Sequence, residues 1–206
     1  MTSIYWTSLC AHKMGFPRAQ FLHWRHGVGR ALLDDALIDA GIDTRYVMRQ
    51  PGCRPRLADD SAWFSCSYSS EHVVVAVSHC NVAVDVESLS RQYCRRFIHE
   101  LPRKFFTLRE QAWIKRNPEF AIRFFTEKEA WLKYHCLGID YGLGRVDRWV
   151  IAKDGCGVTE LTDIPIPQAV CTMYNTIGHT VTVCNRVVSD ARIAWGIEQY
   201  RQERIW

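Results

Sequence analysis

The sequence has no long apolar run. Its longest aliphatic stretch, Val73 to Val77, is five residues, against the roughly 20 that a membrane-spanning helix needs. Met1 to Met14 has no basic region followed by an apolar segment, so no secretory leader is expected. Among nine cysteines there is no C-x-x-C spacing, and the number is odd. That argues against a disulfide framework and against a thiolate zinc site, and for small buried thiols in a reducing compartment. Low-complexity tracts, long linkers and internal sequence repeats are also missing. The net charge of +4 is too small for the strongly basic balance of a typical nucleic-acid binder, and it suits an anionic small molecule or an acidic protein partner. A cytoplasmic protein with no membrane and no nucleic-acid partner is expected.

What is present is a soluble, globular composition: 206 residues, 48% hydrophobic and 23% charged, with eight Trp and nine Phe. Apolar residues at helical spacing predict a helix over residues 17–40, with Gly41 as its stop. Short strands are predicted over 62–67, 72–77 and 82–87, with residues 78–81 as a hairpin turn between the last two. Thr107-Leu-Arg-Glu110 is a capping box opening a helix. Asn117-Pro118 reads as the N-cap and first position of a second helix, running to Leu137. Strands follow over 148–152, 158–161, 168–174 and 179–184, then a helix over 190–203. The expected class is α+β: a pseudo-twofold chain of two similar lobes, each a long helix packed on a mostly antiparallel sheet. The lobes are expected over residues 1–103, carrying the Asp85/Glu87 strand, and 104–206, carrying the Glu129/Lys133 helix. Together they would form one globular unit with the active site between them.

Two blocks carry chemistry. In Val82-Ala83-Val84-Asp85-Val86-Glu87 the pleat puts both acids on one face, opposite the valines. Two carboxylates so placed repel unless a cation lies between them, and hard oxygens with substrate phosphate suit Mg²⁺. The competing reading is a solvated strand edge. In Phe125-Thr-Glu-Lys-Glu129-Ala-Trp-Leu-Lys133, Glu129 shares a helical face with Ile122, Phe125, Leu132, Lys133 and Cys136. An acid in that setting needs a partner or a metal, and the competing reading is a Glu129–Lys133 structural pair. Convergence of Asp85, Glu87 and Glu129 beside a lysine would suit cleavage of a pyrophosphate ester.

Together these blocks resemble the 4′-phosphopantetheinyl transferase superfamily, whose pattern is a (V/I)-G-(V/I)-D-x-E strand followed by a W-x-x-K-E-(A/S)-x-x-K helix. The length resembles its two-lobed, surfactin-synthetase-activating type. Gly27-Val-Gly-Arg30-Ala-Leu-Leu looks like the family's first helix and Cys53-Arg54-Pro55 like its G-K-P loop. Trp63-Phe-Ser-Cys-Ser67-Tyr68-Ser69 looks like F-N-x-S-H-S, and Phe105-Phe-Thr107-Leu-Arg-Glu110 like F-(S/T)-x-x-E. The resemblance implies transfer of phosphopantetheine from coenzyme A to a serine of an apo acyl- or peptidyl-carrier protein, with release of 3′,5′-ADP, by a monomer. It implies Mg²⁺ on Asp85, Glu87 and Glu129. Glu129, directly or through a water, would help deprotonate the serine, and Lys133 would neutralise a phosphate oxygen. Arg54 would meet the 3′-phosphate, with Ser67, Tyr68, Arg25 and Arg30 as further contacts to coenzyme A.

The chain departs from the pattern at Tyr68 (family His), Cys53 and Ala83 (family Gly) and Phe125 (family Trp). Tyr68 carries no positive charge at neutral pH. Two alternatives follow: a diverged coenzyme A- or carrier-binding protein with little transferase activity, and a nucleic-acid-binding module. His72, His79 and His135 receive no role. Between Arg91 and Arg116 stand eight basic residues (Arg91, Arg95, Arg96, Arg103, Lys104, Arg109, Lys115 and Arg116) against Glu100 and Glu110. Phe97, Phe105, Phe106 and Trp113 are interleaved. This segment is the expected docking surface for an acidic carrier. The carrier and its pathway, fatty acid, polyketide or nonribosomal peptide, are not encoded in these motifs.

Overall fold

A computed structural model describes residues 1–9, 15–43, 47–48, 55–57, 61–89, 102–138, 141–151, 159–176 and 180–203. The chain forms two compact units: Met1–Asn81 with Thr180–Trp206, and Val82–His179. It is an α+β protein in which each unit packs helix on a largely antiparallel sheet.

In the first unit, β1 (Thr2–Ser8), α1 (Arg18–Asp39), β2 (Val47–Met48), β3 (Arg56–Leu57), β4 (Trp63–Tyr68) and β5 (His72–Ser78) follow in order. The main sheet runs β4–β5–β1–β9, with β9 (Val181–Asn185) parallel to β1 and the other pairs antiparallel. Val28, Ala31, Leu32 and Ala36 of α1 are buried with Tyr5, Phe64, Val73, Val75 and Val77 of the sheet. The second unit holds β6 (Val82–Ser88), α2 (Pro102–Phe105), α3 (Leu108–Ile114), α4 (Phe120–Tyr134), a 3₁₀ turn at Leu143–Arg145, α5 (Arg148–Ile151), β7 (Thr159–Asp163) and β8 (Ala169–Thr176). Its sheet is β6–β8–β7, all antiparallel, and α4 packs on β6 and β8. The last helix, α6 (Asp190–Glu203), lies on α1 in the first unit. Among the described residues no helix is long and apolar enough to cross a membrane.

Several expectations are corrected. The division falls after Asn81 rather than after Arg103. The Asp85/Glu87 strand therefore belongs with the Glu129 helix, because β6 pairs with β8 and not with β5. Residues 78–81 close no hairpin; the Ser78 hydroxyl accepts from the Cys80 N–H as the chain passes to the other sheet. The C-terminal strand and helix return to the first unit, because β1, which no expectation covered, offers its free edge to β9. Residues 148–151 are helix, not strand. Asp147 caps that helix by accepting from the Trp149 N–H at 2.9 Å, and Glu110 accepts from the Arg148 N–H at 2.7 Å; these contacts satisfy the exposed donors of a helix start. Asn117 caps no helix start. Its amide donates to the Trp113 carbonyl at the end of α3, and α4 begins three residues later, at Phe120.

The α1–α6 crossing is set by Gly27 and Gly196. A Cβ on Gly196 would lie 2.1 Å from the Gly27 carbonyl oxygen, and backbone cannot yield as a side chain can. Gly196→Ala should cost about 1–3 kcal/mol through overpacking, partly offset by helix propensity. A thermal melt should show a loss of about 3–6 °C; an unchanged midpoint would mean that the two helices are not held this closely.

Candidate active site

Alternation along β6 puts Ala83, Asp85 and Glu87 on one face. The Lys133 ammonium of α4 donates to Asp85 Oδ1 at 2.6 Å and to the Val84 carbonyl at 3.2 Å, so this is the face that α4 covers. Every residue of β6 is buried, with Asp85 4% and Glu87 9% exposed. The solvated-edge reading therefore fails, although β6 stands at the end of its sheet. Glu129, one turn before Lys133, is 6% exposed.

The lysine's ion pair crosses to Asp85 rather than closing on Glu129, which overturns the reading of an i,i+4 structural pair. Glu129 Oε1 is buried with no hydrogen-bond partner. Burial first, and then the Asp85 charge, push the Glu129 carboxyl from its usual 4.5 up to about 7, with Lys133 opposing. Burial draws the Lys133 ammonium down, but Asp85, Glu129 and Glu87 together lift it above the ordinary lysine value. All three acids thus act on one lysine. Cys171, on β8 opposite Val86, is buried and its thiol is pushed up, first by burial and then by Asp85; a protonated thiol is a poor nucleophile.

The position of α4 rests on a second ion pair that the sequence reading did not identify. Lys128 and Glu110, both 0% exposed, meet at 2.6 Å. Lys128 also donates to the Phe105 carbonyl at 2.8 Å. Glu110 closes the expected capping box, accepting from the Thr107 N–H at 2.7 Å while Thr107 Oγ1 accepts from the Glu110 N–H. Beside it the buried Glu127 holds Arg148 and Arg123. The signal was available: Lys128 precedes the site glutamate, and Glu110 ends the capping box.

The other expected residues are placed as follows. Arg25, Arg30, Ser67 and Tyr68 belong to the first unit. Arg30 is buried, 3.9 Å from Asp34 and over the ring of Trp195. Arg25 donates to the Ser69 carbonyl and lies over the Tyr68 ring. The Tyr68 ring packs where a Cβ on Gly29 would stand, and it meets His26 edge-on, so tyrosine here serves the packing of α1. Ser67 is buried. Cys53, Arg54 and residues 91–101 lie outside the described residues.

Among the described residues no three His, Cys, Asp or Glu side chains are gathered closely enough to hold a metal ion by themselves. Asp85, with its carboxylate engaged by Lys133, and Glu129, with an unmet buried oxygen, still offer hard donors. Mg²⁺ commonly needs only one or two carboxylates, with substrate phosphates and water completing its shell. On those terms the residues fit a divalent cation.

No curated protein matches this sequence. The sequence model of the 4′-phosphopantetheinyl transferase superfamily matches residues 81–184, half of the chain and the whole of the second unit. With both acid blocks inside that match, the chain belongs to the 4′-phosphopantetheinyl transferase superfamily.

Proposed function

We propose that this chain transfers the 4′-phosphopantetheine group of coenzyme A to a serine of an apo carrier protein, with Mg²⁺, releasing 3′,5′-ADP. The carrying observation is the buried trio of Asp85, Glu129 and Lys133, in which Glu129 Oε1 lacks a hydrogen-bond partner and burial pushes that carboxyl up to about 7. Asp85 and Glu129, with Glu87 on the same strand face, would hold the divalent cation together with substrate phosphate and water, and it would supply positive charge to the pyrophosphate oxygens. Glu129, whose buried Oε1 is unmet in the metal-free site, is the general base. It takes the serine proton as the serine oxygen bonds to the phosphorus bearing the pantetheine oxygen. The bond from that phosphorus to the 3′,5′-ADP oxygen breaks, and its electron pair leaves with 3′,5′-ADP. Lys133 leaves Asp85 to neutralise a phosphate oxygen as charge develops.

The carrier is the acidic partner. Of the basic segment, Lys104, Arg109, Lys115 and Arg116 are described and exposed, while Glu110 is buried and paired. Trp113 is exposed beside them, and the Arg109 guanidinium lies 4.4 Å from the Trp149 ring centre. This surface suits an acidic helix with an apolar ridge.

With coenzyme A and Mg²⁺, an apo-carrier should gain the phosphopantetheine mass, read by mass spectrometry; activity that survives exhaustive EDTA treatment would remove the metal from the reading. Glu129→Gln should lower kcat by at least about a hundredfold, since residues of one site act together. The same variant tests the titration. An acid raised in the folded state favours folding below its unfolded value, and that contribution is lost as pH rises through about 7. Metal-free wild type should therefore lose roughly 3 kcal/mol between pH 4.5 and 8 through this group, and Glu129→Gln should flatten that part of the slope in denaturant melts; an unaltered slope would assign the titration elsewhere. Reversing Lys115 and Arg116 to Glu should raise KM for the carrier several-fold and weaken its salt dependence, with KM for coenzyme A unchanged. Carrier kinetics indifferent to that reversal would move docking off this surface.

A further inference from the structure

Thr172 of β8 stands directly opposite Asp85 in the β6–β8 register. Directly opposed residues of an antiparallel pair project to the same face, with Cβ atoms about 5 Å apart. Thr172 therefore shares the face that α4 covers. It is 0% exposed, and its Oγ1 has no hydrogen-bond partner. On its other side the register opposes it to Asp163 of β7, whose carboxylate is engaged by Arg123 at 2.5 Å. A buried hydroxyl left unmet destabilises the fold, and valine would fill the same volume on a strand without that cost.

The donors to Asp85 account for the hydroxyl. In this structure Asp85 Oδ1 accepts from Lys133. The transfer reading moves that ammonium to a phosphate oxygen, so Asp85 loses a donor just when its orientation toward the cation matters. The register places one hydroxyl beside it.

We propose that Thr172 is a positioning residue of the transfer site: its hydroxyl donates to the Asp85 carboxylate when Lys133 turns to phosphate, and keeps that carboxylate aimed at the cation. The inference rests on the transfer reading above. Threonine is thus kept for the liganded state at the expense of the free one. Partners of this kind, behind a ligating carboxylate, typically change metal affinity or activity by about 10–100-fold when removed.

The test uses the full chain with Thr172→Val, which keeps the shape, and Thr172→Ser, which keeps the hydroxyl. Three quantities are read: the melting temperature without metal, the Mg²⁺ half-saturation of the thermal shift in saturating coenzyme A, and kcat with KM for coenzyme A. Thr172→Val should melt at or above wild type without metal. Its Mg²⁺ half-saturation should rise about tenfold and its kcat fall about tenfold, while KM for coenzyme A stays within about twofold. Thr172→Ser should return both affected quantities to near wild type. Three results overturn the assignment: Thr172→Val with wild-type Mg²⁺ response and kcat, Thr172→Ser as impaired as Thr172→Val, or a metal-free Thr172→Val clearly less stable than wild type. Wild type that neither transfers nor responds to Mg²⁺ would instead sink the transfer reading, and this assignment with it.

Discussion

The fully buried Lys128–Glu110 ion pair is the constraint on which the second unit depends. Two opposite charges at 0% exposure survive only if each finds further partners, because desolvation of either alone costs several kcal/mol. Burial draws the Lys128 ammonium below its ordinary value, and Glu110 is the main opposing influence. Lys128 takes the Phe105 carbonyl as well as Glu110. Glu110 takes the N–H groups of Thr107 and Arg148. One carboxylate thus starts α3, starts α5 and fixes α4. Replacing either partner alone would strand the other in the core, at about 3–5 kcal/mol.

That anchoring is what aims the site. Glu129 follows Lys128 directly and Lys133 lies one turn on, so fixing the rotation of α4 at Lys128 fixes both. Lys133 then reaches Asp85 on β6, and Glu129 is left with one oxygen unmet beside a second carboxylate. An acid so placed holds a proton near neutrality, and a polar or charged partner suits it better than the surrounding apolar core. The feature that costs the free fold stability is the one that chemistry can use.

Much of this was legible in the sequence because it is local. The capping box at Thr107–Glu110, the alternation that pairs Asp85 with Glu87, and the helical face shared by Glu129 and Lys133 all follow from periodicities of 2 and 3.6 residues, and the structure shows the capping box bond for bond. The errors fell where a distant group intervened. Arg148 to Ile151 has the apolar character of a strand but is helix, because Asp147 and Glu110 satisfy its first N–H groups. Ser78 to Asn81 has the composition of a hairpin turn, but β5 and β6 find other partners.

By itself, then, the sequence determined which residues share a face, since backbone geometry sets this within a few residues. Only the tertiary structure decided that Lys133 pairs with Asp85 rather than Glu129, that Lys128 and not Lys133 is the structural cation, and that Thr172 lies beside the acids. It also decided that the last strand and helix belong with the first unit, and that Tyr68 packs on Gly29. Each of these contacts joins residues distant in the chain. Their energies depend on burial and on competition among partners, and no local pattern records which partner wins.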